Sequence, residues 1–258
     1  MRTLTPMTAA VAVPAVAVVG LGLAASAHAG GTAAHTTAHT TARTAVGSMP
    51  PPPTLPRPGD FVDVVDNPYL PFVPGTRWLY RGHGEEAGER NIVTVLHRTR
   101  VIEGITATVV HDVVRKGGRV TEDTHDWYAQ DRLGNVWYLG ELSKEYQGGQ
   151  VDTSGSWQAG VHGGRAGIVM PVDPVLGRSY AQEFEPGAAE DQAKVIDLDG
   201  QAGVPFGHFA HVRVTSESSS LEPNTVELKF YAKGVGVTTE IQTSPRFART
   251  ALVSMTKP

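Results

Sequence analysis

The 258-residue chain contains no cysteine. That absence excludes disulfides, thiolate nucleophiles, iron–sulfur clusters, sulfur-ligated zinc and a lipid anchor carried on a cysteine thioether. There is no GxSxG elbow, no glycine-rich loop ending in GK[ST], no dinucleotide fingerprint following a strand, and no HExxH. Acidic residues are absent from positions 1–58, whose only charges are Arg2, Arg43 and Arg57. The full chain has 22 basic and 26 acidic residues, which leaves 19 basic against 26 acidic, a balance of −7, for the remaining 200 positions. A domain so charged, with its cations scattered, has no electrostatic reason to bind nucleic acid or an anionic membrane. No cofactor is expected.

What is present at the start is a short basic end (Arg2), an apolar run from Ala9 to Ala25, and small residues Ala27 and Ala29 around His28. This pattern predicts a secretory signal peptide over 1–29, with an uncleaved anchor as the alternative. Pro14, Gly20 and Gly22 interrupt the run, and no later stretch approaches membrane-spanning length, so the mature protein is expected to have no transmembrane domain. Residues 30–58 are rich in Thr, Ala and Pro and nearly free of large apolar side chains. Such a segment cannot offset its ordering entropy by burial, which predicts a disordered linker, stiffened by Pro50–Pro53. His35 and His39 lie in it.

Residues 59–258 then read as one β domain. Two-residue alternation or β-branched richness marks strands near 76–80, 91–98, 105–114, 120–129, 135–141, 209–217, 225–232 and 235–242, and no stretch offers three turns of helical periodicity. Lys116-Gly117-Gly118-Arg119 and 131–134 are tight reversals, which makes 105–141 a three-stranded meander. From Gly148 to Gly187 glycine and proline dominate, predicting a long covering loop with little regular structure. The expected fold is therefore all-β, a single antiparallel barrel or strongly curved sheet, lipocalin-like or half-open.

The segment EDTHDWYAQDRLGNVWYLGE (122–141), with AGIVMPVDPVLGRSYAQEF, PGAAEDQAKV and LKFYAKGVGV, resembles a family of exported bacterial proteins without an assigned biochemical function. The likeness spans most of Trp78 to Glu240. It implies one domain type and no chemistry.

Candidate site residues come from the strand faces. Asp126, Tyr128 and Gln130 share one face of a strand that also carries Glu122 and Thr124, and a polar face inside a meander suits a wet barrel interior. Trp137 and Tyr138 add aromatic surface, and aromatic rings beside carboxylates hold sugars and other ligands with one apolar face. Met170, with Pro171 and Pro174 stiffening its surroundings, is a candidate lid contact over the site. Gln182 and His208 are further polar candidates. Two carboxylates about 5–9 Å apart can serve as acid and base on a glycosidic bond, and Asp126 with Glu183 is the pair to test. His111, mid-strand among valines, reads as a hydrogen-bonded core or interior histidine, and no metal is expected. Three functions stay open: binding of a small amphipathic or glycan ligand, a carboxylate-dependent hydrolase using Asp126 and Glu183, and a structural role in the cell envelope.

Overall fold

The computed structural model describes residues 49–258, so the expected leader and residues 30–48 of the expected linker lie outside the described residues. Residues 49–57 run without strand or helix; Leu55 packs on the core, and the Pro52 carbonyl accepts from Arg165 Nη2 at 3.0 Å. One 3-10 turn, Pro58–Asp60, follows. Among the described residues there is no α-helix, and hence no helix long and apolar enough to cross a membrane.

The rest is strand and turn. The first seven strands are β1 (Phe61–Val62), β2 (Arg77–Gly84), β3 (Glu89–Ile102), β4 (Ile105–Lys116), β5 (Arg119–Asp131), β6 (Val136–Leu142) and β7 (Glu145–Gln147). Short strands follow: β8 (Gln150–Asp152), β9 (Trp157–Gln158), β10 (Arg165–Met170), β11 (Ser179–Ala181) and β12 (Glu183–Phe184). The chain ends on β13 (Asp191–Val204), β14 (Gly207–Ser219), β15 (Val226–Ala232), β16 (Gly236–Ser244) and β17 (Ala248–Thr256).

β2 to β6 and β13 to β17 each form an antiparallel meander, and β17 pairs back onto β2. β10 extends the wall beyond β6 and pairs with β12, while β11 pairs with β13. The outcome is a nearly closed antiparallel barrel of 13 strands, which leaves few free edges. The glycine- and proline-rich stretch thus covers the gap between β6 and β13. It does so with short strands and not as an unpaired loop, because backbone groups lying against a barrel need partners that the neighbouring strands supply.

Local sequence explains the register. Gly117 and Gly118 take positive φ (59° and 81°) at the β4–β5 turn, which ordinary side chains resist. A bulge at Val114/Arg115 then shifts the pairing by one residue, so His111 faces His125 and Thr108 faces Tyr128. A second irregularity lies between Asp126 and Tyr128 against β6. Gly140 absorbs it at φ +131°, where an added Cβ would sit 2.4 Å from the Trp157 carbonyl oxygen.

The main core cluster lies on both faces of the β5–β6 wall. Trp137 turns away from the interior, with Phe61 edge-on at 6.4 Å, under the incoming chain. Residues 63–75 then cross one end of the barrel, where Val65 bridges to Phe72 and buried Leu70 and Phe72 close the interior.

Candidate binding site in the barrel interior

Glu122, Thr124, Asp126, Tyr128 and Gln130 all turn inward along β5, and each is buried. Their rings and carboxyls build one wall. Phe72 lies 4.7 Å from Tyr128, Tyr128 stacks on Tyr138 at 4.8 Å, and Trp157 meets Tyr138 edge-on at 5.4 Å. The Tyr138 hydroxyl donates to Asp126 Oδ1 at 2.7 Å. Glu141, brought inward by the Gly140 kink, faces Asp126 across the ladder. Glu183 on β12 is fully buried, and the Trp157 indole N–H faces it without reaching hydrogen-bond geometry. Asp126 Oδ2, Glu141 Oε1 and both Glu183 oxygens have no hydrogen-bond partner.

The opposite wall is ionic. Lys229 on β15 is the one buried lysine among the described residues; its Nζ lies 2.9 Å from Glu217 Oε2 and 3.6 Å from Glu240 Oε1. Tyr231 donates its hydroxyl to Glu217 Oε1 at 3.0 Å, as does Thr215 at 2.8 Å. Asp191 and Glu227 line a hollow of about 20 Å³ at the β14–β15 end, room for one water or one ion. A second hollow of about 10 Å³ lies beneath Leu70 and Phe72, against Trp78 and Tyr80.

Electrostatics follow from burial. Desolvation lifts Asp126 to about 7 against the lowering effect of the Tyr138 hydrogen bond and of the nearby Tyr128 hydroxyl. Burial, reinforced by Asp191 and Glu141, holds Glu183 well above the ordinary carboxylate range, and burial with Asp126 and Glu122 does the same for Glu141. Asp191 rises to about 8 and Glu227 to about 7, again chiefly by burial. Burial works to lower Lys229, but the pull of Glu217, Glu240 and Glu227 outweighs it and raises the lysine above its usual value.

Of the residues singled out from sequence, Asp126, Tyr128, Tyr138 and Glu183 belong to the interior wall. Gln130 shares their face but is a latch: its Oε1 accepts from the backbone N–H of Asp66 at 2.9 Å and Asn67 at 2.7 Å, and its Nε2 donates to Asp66 Oδ1 at 2.7 Å. Trp137 lies on the other face, its indole N–H donating to Asp131 Oδ2 at 2.8 Å. Met170 is buried beside Arg213, whose guanidinium stacks on Tyr69 at 3.8 Å and donates to the Pro171 carbonyl at 3.4 Å. The segment over Tyr128 is therefore 65–72, and 170–173 flanks it. Gln182 is buried on the strand pairing beside Asp191, whereas His208 is exposed on the β13–β14 ribbon.

Sequence reasoning did not place Glu141 in the site, and it did not find the Lys229 network or a cluster on the outer wall. There His111 and His125 stack at 4.2 Å with Asp123 beside them. His111 lies outside the interior because its strand neighbours Val110 and Asp112, paired with the inward Asp126 and Thr124, take the inner face. In His125, burial first and then His111 and Arg98 lower the imidazole to about 4, against the pull of Asp123.

No protein-family model matches this sequence, and no curated protein matches it. Two solved structures are similar. One is a candidate lipoprotein of Parabacteroides distasonis, at 11% identity and a TM-score of 0.44, covering 73% of this chain and 98% of its own. The other is a candidate exported protein with a YmcC-like fold from Bacteroides fragilis, at 9% identity and a TM-score of 0.44, covering 73% and 99%. Similarity at that level carries no argument about site or activity.

Proposed function

We propose that the protein is an extracytoplasmic binding barrel that takes a small amphipathic ligand, of the glycan-fragment type, against its aromatic wall. The leader expected over residues 1–29 supports the location. The observation that carries the reading is the meeting of a ring stack (Phe72, Tyr128, Tyr138, Trp157) with acceptor oxygens of Asp126, Glu141 and Glu183 that have no donor. A barrel serving only as scaffold fills such positions with apolar side chains, since burying an unpaired acceptor costs about 1–3 kcal/mol. Several ligand hydroxyls supply the missing donors, and the rings cover the ligand's flat face. The hollows have room for no more than about one water each, so entry requires residues 65–72 to lift from Tyr128.

The test is a thermal-shift and calorimetric screen of oligosaccharide fragments against the full chain. Asp126→Asn and Glu183→Gln should weaken any binder by about tenfold or more, the loss of a hydrogen bond to a charged or strongly polar partner. Unchanged affinity in both variants, or no binder in the screen, overturns the reading. A second reading, glycoside hydrolysis, is favoured by one observation: Asp126 and Glu183 both have raised pKa values, as a general acid requires. Turnover of chromogenic glycosides that disappears in either variant supports it, and binding without turnover removes it.

A further inference from the structure

We propose that His111, His125 and Asp123 form a binding site for one transition-metal ion of the zinc class on the outer wall of the barrel. The three side chains come from the two strands of one hairpin. The bulge at Val114/Arg115 places His111 directly opposite His125, and Asp123 lies two residues before His125, on the same outward face. The imidazoles are stacked 12° from parallel with centroids 4.2 Å apart, so their nitrogens lie side by side. Asp123 Oδ1 is 3.0 Å from His111 Nε2 and 3.7 Å from His125 Nδ1. One ligand atom from each residue lies within 4.8 Å of the other two.

Zinc bonds of about 2.0–2.2 Å at tetrahedral angles put ligand atoms roughly 3.3 Å apart. The two distances to Asp123 bracket that spacing, so side-chain adjustment alone completes the set. Two imidazoles and one carboxylate are the donor mixture of Zn²⁺, Co²⁺, Ni²⁺ and Cu²⁺, and are poor in oxygen for Ca²⁺ or Mg²⁺. The side chains are 30%, 33% and 24% exposed for His111, Asp123 and His125, which leaves a coordination position open to solvent. The β4–β5 ladder is unbroken from Thr108↔Tyr128 to Val114↔Glu122, and His111 also pairs with Thr94 of β3 and His125 with Leu142 of β6, so the ligands are positioned before a metal arrives. Arg98 and Lys144 lie within electrostatic reach of His125 and limit the affinity, which sets the expectation at micromolar.

The test uses the full chain, with His35→Ala/His39→Ala as the background so that the N-terminal histidines do not contribute. Zn²⁺ titration by calorimetry should give one site, and Co²⁺ should give the visible absorption of a low-coordinate nitrogen–oxygen site. His111→Gln, His125→Gln and Asp123→Asn should each weaken binding about tenfold or more, while His208→Ala/His211→Ala leaves it unchanged. Side-chain ¹H–¹⁵N spectra of the unaltered chain give a readout that needs no variant: the His111 and His125 resonances should shift with the first equivalent of Zn²⁺. Binding that survives His111→Gln and His125→Gln, or that exists only when His35 and His39 are present, overturns the proposal.

Discussion

The two interior walls handle the same problem in opposite ways. On the β5–β6 wall, Asp126, Glu141 and Glu183 have no cation in contact, and burial drives them toward their neutral, protonated forms. On the β14–β16 wall, Glu217 and Glu240 gather around Lys229, which burial fails to neutralise because their charges hold its proton. One wall answers desolvation with protons alone, the other with a counterion as well, since burial raises Glu227 and Glu240 too. Both walls keep carboxylate oxygens without a hydrogen-bond partner, Glu227 Oε2 and Glu240 Oε2 among them on the second, but only the first sets them beside a ring stack, which is why the ligand reading rests on it.

The comparison is broken most directly at Lys229. Lys229→Met should destabilise the protein by about 3–5 kcal/mol at pH 7.5 in chemical denaturation, since it leaves buried carboxylates without their cation. The loss should shrink at pH 5, where Glu227 and Glu240, both raised chiefly by burial, hold protons. Glu141→Gln, on the other wall, removes a group with no counterion and should be neutral or stabilising at pH 7.5. If Glu141→Gln costs as much as Lys229→Met, the two walls do not differ as described.

The next effect is the pH dependence itself. Asp126, near 7 when folded, lies above the ordinary carboxylate value of the unfolded chain, so the folded state binds the extra proton. Its contribution to stability is complete below about pH 4 and is lost as pH rises through 7. Asp191, near 8, acts in the same direction over a wider window. Denaturation midpoints should therefore fall between pH 5 and pH 8. Asp126→Asn should flatten the curve, with little change at pH 4 and a gain of about 2 kcal/mol at pH 8, a discounted share of the roughly 1.4 kcal/mol per pKa unit that the shift implies. Identical curves for wild type and variant would show that Asp126 is charged in the folded protein.

The β5 face could be read from sequence because Asp126, Tyr128 and Gln130 keep strict alternation, and the three-stranded meander could be read because Gly117-Gly118 announces its turn. What alternation cannot register is a single extra residue. The Gly140 kink brings Glu141 inward three places after an inward Tyr138, where strict alternation would turn it outward, while His111 keeps the alternation of Ala107, Val109 and Val113 and lies with them on the outer wall. The second meander hides its chemistry differently. In Val226-Glu227-Leu228-Lys229-Phe230-Tyr231, a flat sheet would bury Val226, Leu228 and Phe230, yet here they are half-buried while Glu227, Lys229 and Tyr231 are buried. Closure inverts the usual assignment, because a barrel interior can be polar when its charges find each other. The Lys229 contacts depend on β14 and β16 lying on either side of β15, a fact about pairing that no single strand contains.

Access to the aromatic wall gives the smallest effect and the one that most sharpens the contrast. The 65–72 segment is held over Tyr128 by few polar contacts, and Gln130 supplies two acceptor bonds and one donor bond to Asp66 and Asn67. Gln130→Ala leaves both backbone N–H groups without that acceptor, which should cost about 1–2 kcal/mol. The cost should be local, because the barrel ladders do not pass through Gln130's side chain. Hydrogen exchange should accelerate at the Phe72 amide, which donates to the Val65 carbonyl at 2.9 Å, while the amides of β14 to β16 keep their protection. A ligand that binds the Asp126 wall should then associate faster with Gln130→Ala than with wild type, since less free energy is needed to lift the segment. The Lys229 wall should feel nothing, and the pH dependence assigned to Glu227 and Asp191 should stay as it is. Exchange that accelerates equally on both walls would mean that residues 65–72 stabilise the whole barrel and are not a gate to one side of it.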